Sequence, residues 1–297
     1  MHRPHPRDSA DRCALRAEVR GDAMLGTAFP AARILLVEQP GAWGRAGLRE
    51  SDFDATLAGV LERRAASVGV RVVAIRQPGR TAAAATRRWA LADCRPGHEG
   101  LRWGSFARDD DLLHVPLDGS AGLPDHGPLY LVCAHAKHDV CCALRGRPVA
   151  AAIAGLRPHR VWECSHLGGD RFAANVLVLP AGLLYGRVPA GRAPDLVASA
   201  DADEVLVDLL RGQVGLASTA QAALAFGYES LRLRQRGALR VRSASPIVAG
   251  RSIVRLDAPD GPHDVRVLVE TVSATGLTCA NPQPSRFLAY RPGWGDA

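Results

Sequence analysis

Lysine is almost missing from this chain: Lys137 is the only one, although lysine and arginine together number 37 and the formal net charge is +7. The arginines are spread along the chain and form no basic cluster. That pattern lacks the footprint that binding to a phosphate backbone requires, so nucleic acid is not an expected partner. An Arg- and Ala-rich, Lys-poor composition is also what a GC-rich genome produces without functional selection. A basic face that draws in an acidic redox partner or an anionic cofactor suits this charge better. No apolar run approaches the roughly 18–20 residues of a bilayer span, so no membrane is expected either. The opening MHRPHPRDSADR lacks an apolar h-region, so the expectation is no secretory signal and a cytoplasmic location. A C-x-x-C pair is missing too, and seven cysteines is an odd number for a disulfide framework in a reducing compartment.

What remains is an ordinary globular composition, 47% hydrophobic and 23% charged over 297 residues, enough for two domains. The spacing of apolar residues predicts an α/β fold. RILLVE reads as a strand, followed by a Pro/Gly loop. SDFDATLAGVLERRAASVG reads as a helix capped by Ser51 or Asp52, with Phe53, Leu57, Val60 and Leu61 on one face. VRVVAIR closes a βαβ unit with parallel strands. The grammar then recurs, with LYLVC as strand, GRPVAAAIAGL as a short helix, and HRVWEC as strand leading into a Gly turn. ANVLVLP and GLLYGRV form a hairpin across Ala181-Gly182. Two βαβ stretches of this kind read as a degenerate internal duplication. Glu38 in the first copy matches Cys133 in the second, and Arg76 falls near Cys164.

Between the copies, RRWALAD, GLRWGSF and DLLHVPL read as short strands. Beyond Val188, DADEVLVDLLRG and ASTAQAALAFGYESLRLRQ read as two amphipathic helices, packed as a plain hairpin more readily than as a DNA-binding pair. SIVRLDA and HDVRVLVETV follow as strands broken at Asp260-Gly261. The expected organisation is a disordered tail over 1–24, a ligand-free half over 25–127, a ligand-bearing half over 128–190, and a C-terminal αβ subdomain over 191–297.

The chemistry gathers in VCAHAKHDVCCALRG and WECSHLGGDRF. Cys133 ends a strand, and Cys142 lies nine positions on, flanking the next helix. Thiolates there, close to Lys137, Arg145 or Arg147, deprotonate readily. Cys141 and Cys142 are consecutive, so only one of them ligates and the other packs inward. Cys164, His166 and Asp170 carry donor atoms on the second turn, where Gly168-Gly169 permits close approach or positive φ. Two separated segments, each giving a pair of donors, match a bridged two-iron cluster better than zinc, whose ligands come in tighter pairs. Arg171 stands beside this site, placed to offset cluster charge or to pair with a carboxylate. Cys13, Cys94 and Cys279 read as ordinary thiols, His135 and His138 as solvated loop residues, and His159 as a turn residue.

C-x8-C, then His166 to Ala173 as H-x-G-G-[HD]-[RK]-F-A, then Leu179 to Arg187 as L-P-x-G-x-x-Y-G-R, resemble the sucrase/ferredoxin-like family, whose relatives include fungal bis-histidinyl ferredoxins. The resemblance implies a thioredoxin-like fold carrying a [2Fe–2S] cluster in an electron carrier instead of a stand-alone enzyme, working with redox donor and acceptor proteins. No paired-carboxylate site supports sucrose hydrolysis. Carried over by motif, Cys133 and Cys142 match the thiolate ligands and His166 the first histidine. Asp170 stands where relatives have the second histidine. Three outcomes stay open there: Asp170 as fourth ligand, Cys164 in its place, or no cluster. Two other functions compete: a thiol–disulfide oxidoreductase using Cys141, Cys142 or Cys164, and a non-catalytic binding module with a vestigial site.

Overall fold

The computed structural model describes residues 12–79 and 85–293. In chain order they form α1 (Cys13–Val19), β1 (Arg33–Glu38), α2 (Ala55–Ser67), β2 (Val70–Arg76), β3 (Arg87–Asp93), β4 (Gly100–Phe106), β5 (Leu123–Asp125) and β6 (Leu129–Cys133). Next come α3 (Val140–Leu156), β7 (Val161–Cys164), β8 (Val176–Leu179), β9 (Leu183–Tyr185), α4 (Ala193–Asp201), β10 (Leu210–Gln213) and α5 (Ser218–Ser230). The last elements are β11 (Arg240–Ala244), β12 (Arg251–Ala258), β13 (Gly261–Ala274) and β14 (Ser285–Pro292).

The architecture is α/β. One ten-stranded sheet runs β10-β9-β8-β6-β7-β2-β1-β3-β4-β5, and a four-stranded antiparallel sheet runs β11-β12-β13-β14. The first half of the large sheet has the order β2-β1-β3-β4 and the second β7-β6-β8-β9. In both, the first two strands are parallel and the others antiparallel, so the halves repeat the same topology. They meet where β2 and β7 pair antiparallel, Ile75 opposite Cys164 and Arg76 opposite Glu163. The internal duplication expected from the sequence therefore has a structural counterpart. At the junction, Nε and Nη2 of Arg76 both donate to Glu163 Oε2, at 2.9 and 2.8 Å.

Burial explains the strands. β6 and β7 are buried at every position, as expected of central strands covered on both faces. Along β1 the alternation divides two cores. Ile34 and Leu36 pack with Leu131, Trp162 and Leu177, while Leu35 and Val37 pack with Leu61 and Ala65 of α2. A third core joins Tyr130, Val176 and Val178 to α5 and to Val254, Leu256 and Val267 of the small sheet.

Several expectations need correction. Residues 1–11 of the expected tail lie outside the described residues, but α1 begins at Cys13, which is fully buried with Ala14 and Ala17. The cap of α2 is Asp54, whose side chain accepts from Leu57 N at 2.9 Å, not Ser51 or Asp52. DLLHVPL holds a 3-10 turn over Asp109–His114 in place of a strand. The first of the two C-terminal helices is not formed as read: the chain makes α4 earlier, a 3-10 turn at Val207–Leu209, and then β10. Among the described residues no helix pair of DNA-binding type is formed there. Because β10 pairs with β9, the tail supplies an edge strand to the large sheet, and it shares a core with it. The hairpins at Ala181-Gly182 and Asp260-Gly261 form as expected.

Helix α3 also starts earlier than the sequence indicates, at Val140, and runs through Pro148. Gly146 lets it sit against the end of β6: a Cβ there would lie 2.1 Å from the Cys133 carbonyl oxygen. Backbone cannot yield as a flexible side chain does. Gly146→Ala should therefore lower stability by about 3 kcal/mol, the upper end for overpacking, read as a fall in the urea midpoint. An unchanged midpoint would contradict this packing.

Candidate metal centre

Two loop systems converge at the ends of β6 and β7. Cys133 is the last residue of β6, and Cys142 lies in the first turn of α3, whose N-cap is Asp139. A thiolate at a helix N-terminus is favoured by the helix dipole. The turn after β7 brings His166 opposite. Sulfurs of Cys133 and Cys142 and a ring nitrogen of His166 all lie within 4.8 Å of one another.

Asp170 closes the group. It is buried, and its Oδ1 accepts from the Cys142 thiol at 3.3 Å. The same oxygen is 3.0 Å from Nδ1 of His166. That nitrogen is buried yet off the line of a hydrogen bond, so it has no aligned partner among the described residues. A further histidine enters that the sequence reading set aside. His138 stacks on His166 with ring centroids 3.7 Å apart, and its Nε2 is 3.9 Å from Asp170 Oδ2. His138, His166 and Asp170 form a second triad of donors within 4.8 Å. His135 is buried instead, with Nε2 2.6 Å from the Gly44 carbonyl and its ring edge-on to Trp43. The Gly44 loop of the first half thus lies over the histidine-bearing turn of the second.

The charges interlock. A hydrogen bond from Cys142 holds the Cys133 thiol well below the usual thiol range, against its burial and with help from His166. The same bond, together with burial, pushes Cys142 up. Burial opposes charge on His166, but Asp170 and Cys133 outweigh it and raise the imidazole to about 9. Burial likewise works against the Asp170 carboxylate, and His166 overrides it, so Asp170 stays below the ordinary carboxylate range. These shifts favour a thiolate at Cys133, an imidazolium at His166 and a carboxylate at Asp170. To serve as a metal ligand, His166 would have to give up that proton.

The other predicted residues fall into place unevenly. Cys164 sits beside Cys133 on the neighbouring strand, fully buried, but is not part of the donor group. Burial pushes its thiol up, as for an inert core cysteine. Gly168 and Gly169 have φ of 82° and 72°, the left-handed conformation that glycine tolerates. The group that Gly169 approaches is a side chain: a Cβ there would meet the Arg211 guanidinium at 2.5 Å. Arg171 faces away from the donors, 3.3 Å from Asp22 and between the rings of Phe172 and Phe287.

Sequence reasoning missed Arg211 altogether. Fully buried on β10, it donates to Gly168 O at 2.8 Å, Asn175 Oδ1 at 2.8 Å, Thr27 O at 2.7 Å and Thr27 Oγ1 at 3.0 Å. Asn175 in turn donates to Gly169 O at 3.0 Å. Arg71 donates to His166 O at 2.8 Å. The turn that presents His166 is therefore held by its backbone carbonyls.

Two thiols, an imidazole with an unaligned buried nitrogen, and a carboxylate make a donor set that could hold a metal ion. A family model described as sucrase/ferredoxin-like matches residues 24–212, a span that takes in both halves of the large sheet and every donor in the group. No curated protein and no solved structure matches the chain. Because that match covers well over half of the sequence and ends on the strand that carries Arg211, the chain belongs to the sucrase/ferredoxin-like family.

Proposed function

We propose that this chain is a [2Fe–2S] electron-transfer protein whose cluster would be held by Cys133, Cys142 and His166. The fourth position falls to Asp170, with His138 the neighbouring alternative. The observation that carries this reading is the convergence of two thiols and an imidazole within 4.8 Å from two separate loops. The repeated strand order in the two halves supports a thioredoxin-like scaffold. When bound, the cluster would take up and release one electron.

The chain's own residues set the conditions for that exchange. Cys133 and Cys142 are sealed in the core, whereas the side chains of His138 and His166 keep 31% and 22% of their exposure. A partner would therefore approach from the histidine side. Half-buried Arg71 and fully buried Arg211 stand close enough to the thiolates for their positive charge to offset the donors. The partners proposed are a protein donor and a protein acceptor of electrons, and the net charge of +7 favours acidic ones. No helix among the described residues is long and apolar enough to cross a membrane.

Anaerobic purification from an iron-replete host should give a brown protein with iron and acid-labile sulfide in equal amounts and an EPR signal on reduction. A colourless, iron-free protein would count against the reading. Exchanging the anionic Asp170 for a neutral imidazole, Asp170→His, removes negative charge beside the cluster. Its reduction potential should rise, as histidine ligation does in Rieske-type centres. A potential unmoved by this change, measured by spectroelectrochemical titration, would remove Asp170 from the fourth position.

A further inference from the structure

A second cluster of donors lies on the other side of the α3 N-terminus, built from residues that the sequence presents as unrelated. Cys13 opens α1, Cys141 is in the first turn of α3, and Cys279 lies in the connection between β13 and β14. The Cys141 and Cys279 sulfurs are 3.4 Å apart, and the Cys279 and Cys13 sulfurs 3.5 Å. The Cys13 sulfur is 3.6 Å from Oδ2 and 3.7 Å from Oδ1 of Asp139. One donor atom from each of the four lies within 4.8 Å of all the others.

From this geometry we infer a structural Zn²⁺ site, with the thiolates of Cys13, Cys141 and Cys279 and the carboxylate of Asp139 as its four ligands. Three sulfurs meet at one point, and a disulfide uses only two. Cys13, Cys141 and Asp139 are buried, so ionised forms need a compensating cation. Among the described residues no Lys, Arg or His forms an ion pair with Asp139, and Arg145, whose positive charge reaches Cys13 and Cys141, is itself engaged by Glu18. The Asp139 oxygens accept from Cys141 N at 2.8 Å and Cys279 N at 2.7 Å, which fixes the carboxylate among the sulfurs. Each oxygen keeps a second lone pair for a metal. Three thiolates and one oxygen in a closed, buried set suit tetrahedral zinc. The carboxylate disfavours copper(I), which prefers all-soft ligands.

The consequence is mechanical. Zinc here would clamp α1 and the β13–β14 connection onto the helix end that carries Cys142, and α1 packs against the 3-10 turn that includes Asp170. The consecutive Cys141 and Cys142 would then serve two different metal centres. This site does not depend on the cluster assignment, because it shares no ligand with it.

The test is metal content of the full chain from a host supplied with zinc and iron, by mass spectrometry with sulfide quantitation. About one zinc per chain is expected. Cys13→Ser and Cys279→Ser should each lower zinc tenfold or more while iron persists. A Cys133→Ser/Cys142→Ser double variant should lose iron and keep zinc. Should the serine variants fail to fold, Co²⁺ added to metal-stripped wild type provides the answer. Thiolate-to-cobalt charge-transfer bands and strong visible bands of a tetrahedral ion are expected. Wild type without zinc and with no such cobalt bands would overturn the site. So would zinc lost with Cys133 and Cys142, or a Cys141–Cys279 disulfide in the protein isolated without oxidant. Iron absent while zinc is present would defeat the cluster reading alone.

Discussion

Cys133→Ser should lower iron and acid-labile sulfide at least tenfold and abolish the visible colour. The sulfur lies at the end of β6, fully buried and held low by its neighbours, so it is the thiolate best prepared to bind iron. A serine oxygen at the same point is harder and far less acidic, and its bond to iron is correspondingly weak. The change in volume is small, so the chain should stay folded at a cost of about 1–2 kcal/mol for the buried hydroxyl. Cys164→Ser is the matching control. That thiol is equally buried and one strand away, but lies outside the donor group, so its iron content should stay near wild type. If Cys164→Ser empties the site and Cys133→Ser does not, the donors have been assigned to the wrong strand.

Arg211→Met should have the largest effect on stability of any single change considered, a loss of about 3–5 kcal/mol. The guanidinium is fully buried and lies over Phe172, 5.2 Å from the ring centroid. Burial pushes it down to about 9, so it remains charged at neutral pH. Its removal strands the carbonyls of Gly168 and Thr27 and the Asn175 amide oxygen in a dry interior, each without its donor. Thermal unfolding should fall by about 6–15 °C. Arg291→Met, which breaks an exposed pair with Glu270, should cost less than about 1 kcal/mol. Equal effects at the two positions would show that Arg211 is not the tie its contacts describe.

Much of the fold and about half of the site can be read in the sequence, and the reason lies in range. β1, β2, β6 and β7 follow from short apolar runs punctuated by Gly and Pro, and C-x8-C and H-L-G-G-D are local patterns. The start of α3 is hidden because Gly146 and Pro148 resemble helix boundaries. Only close packing on β6 and burial of the helix outweigh the lost hydrogen bond at Pro148. β10 is hidden because VLVDLLRG has helical spacing, and pairing with β9 overrides it. His138 looks like a loop residue until its ring is seen stacked on His166. Arg171 draws attention by adjacency, while Arg211, forty residues further on, holds the loop. Cys13 and Cys279 stand 266 positions apart, a separation at which no local pattern operates.

The carbonyls that receive the rings of His135 and His138 belong to Gly44 and Arg45, in the copy that bears no donors. A gene fragment encoding only the donor-bearing copy would thus yield ligands without their roof. What the first repeat lends to the second is shape alone, a backbone surface on which the two rings rest.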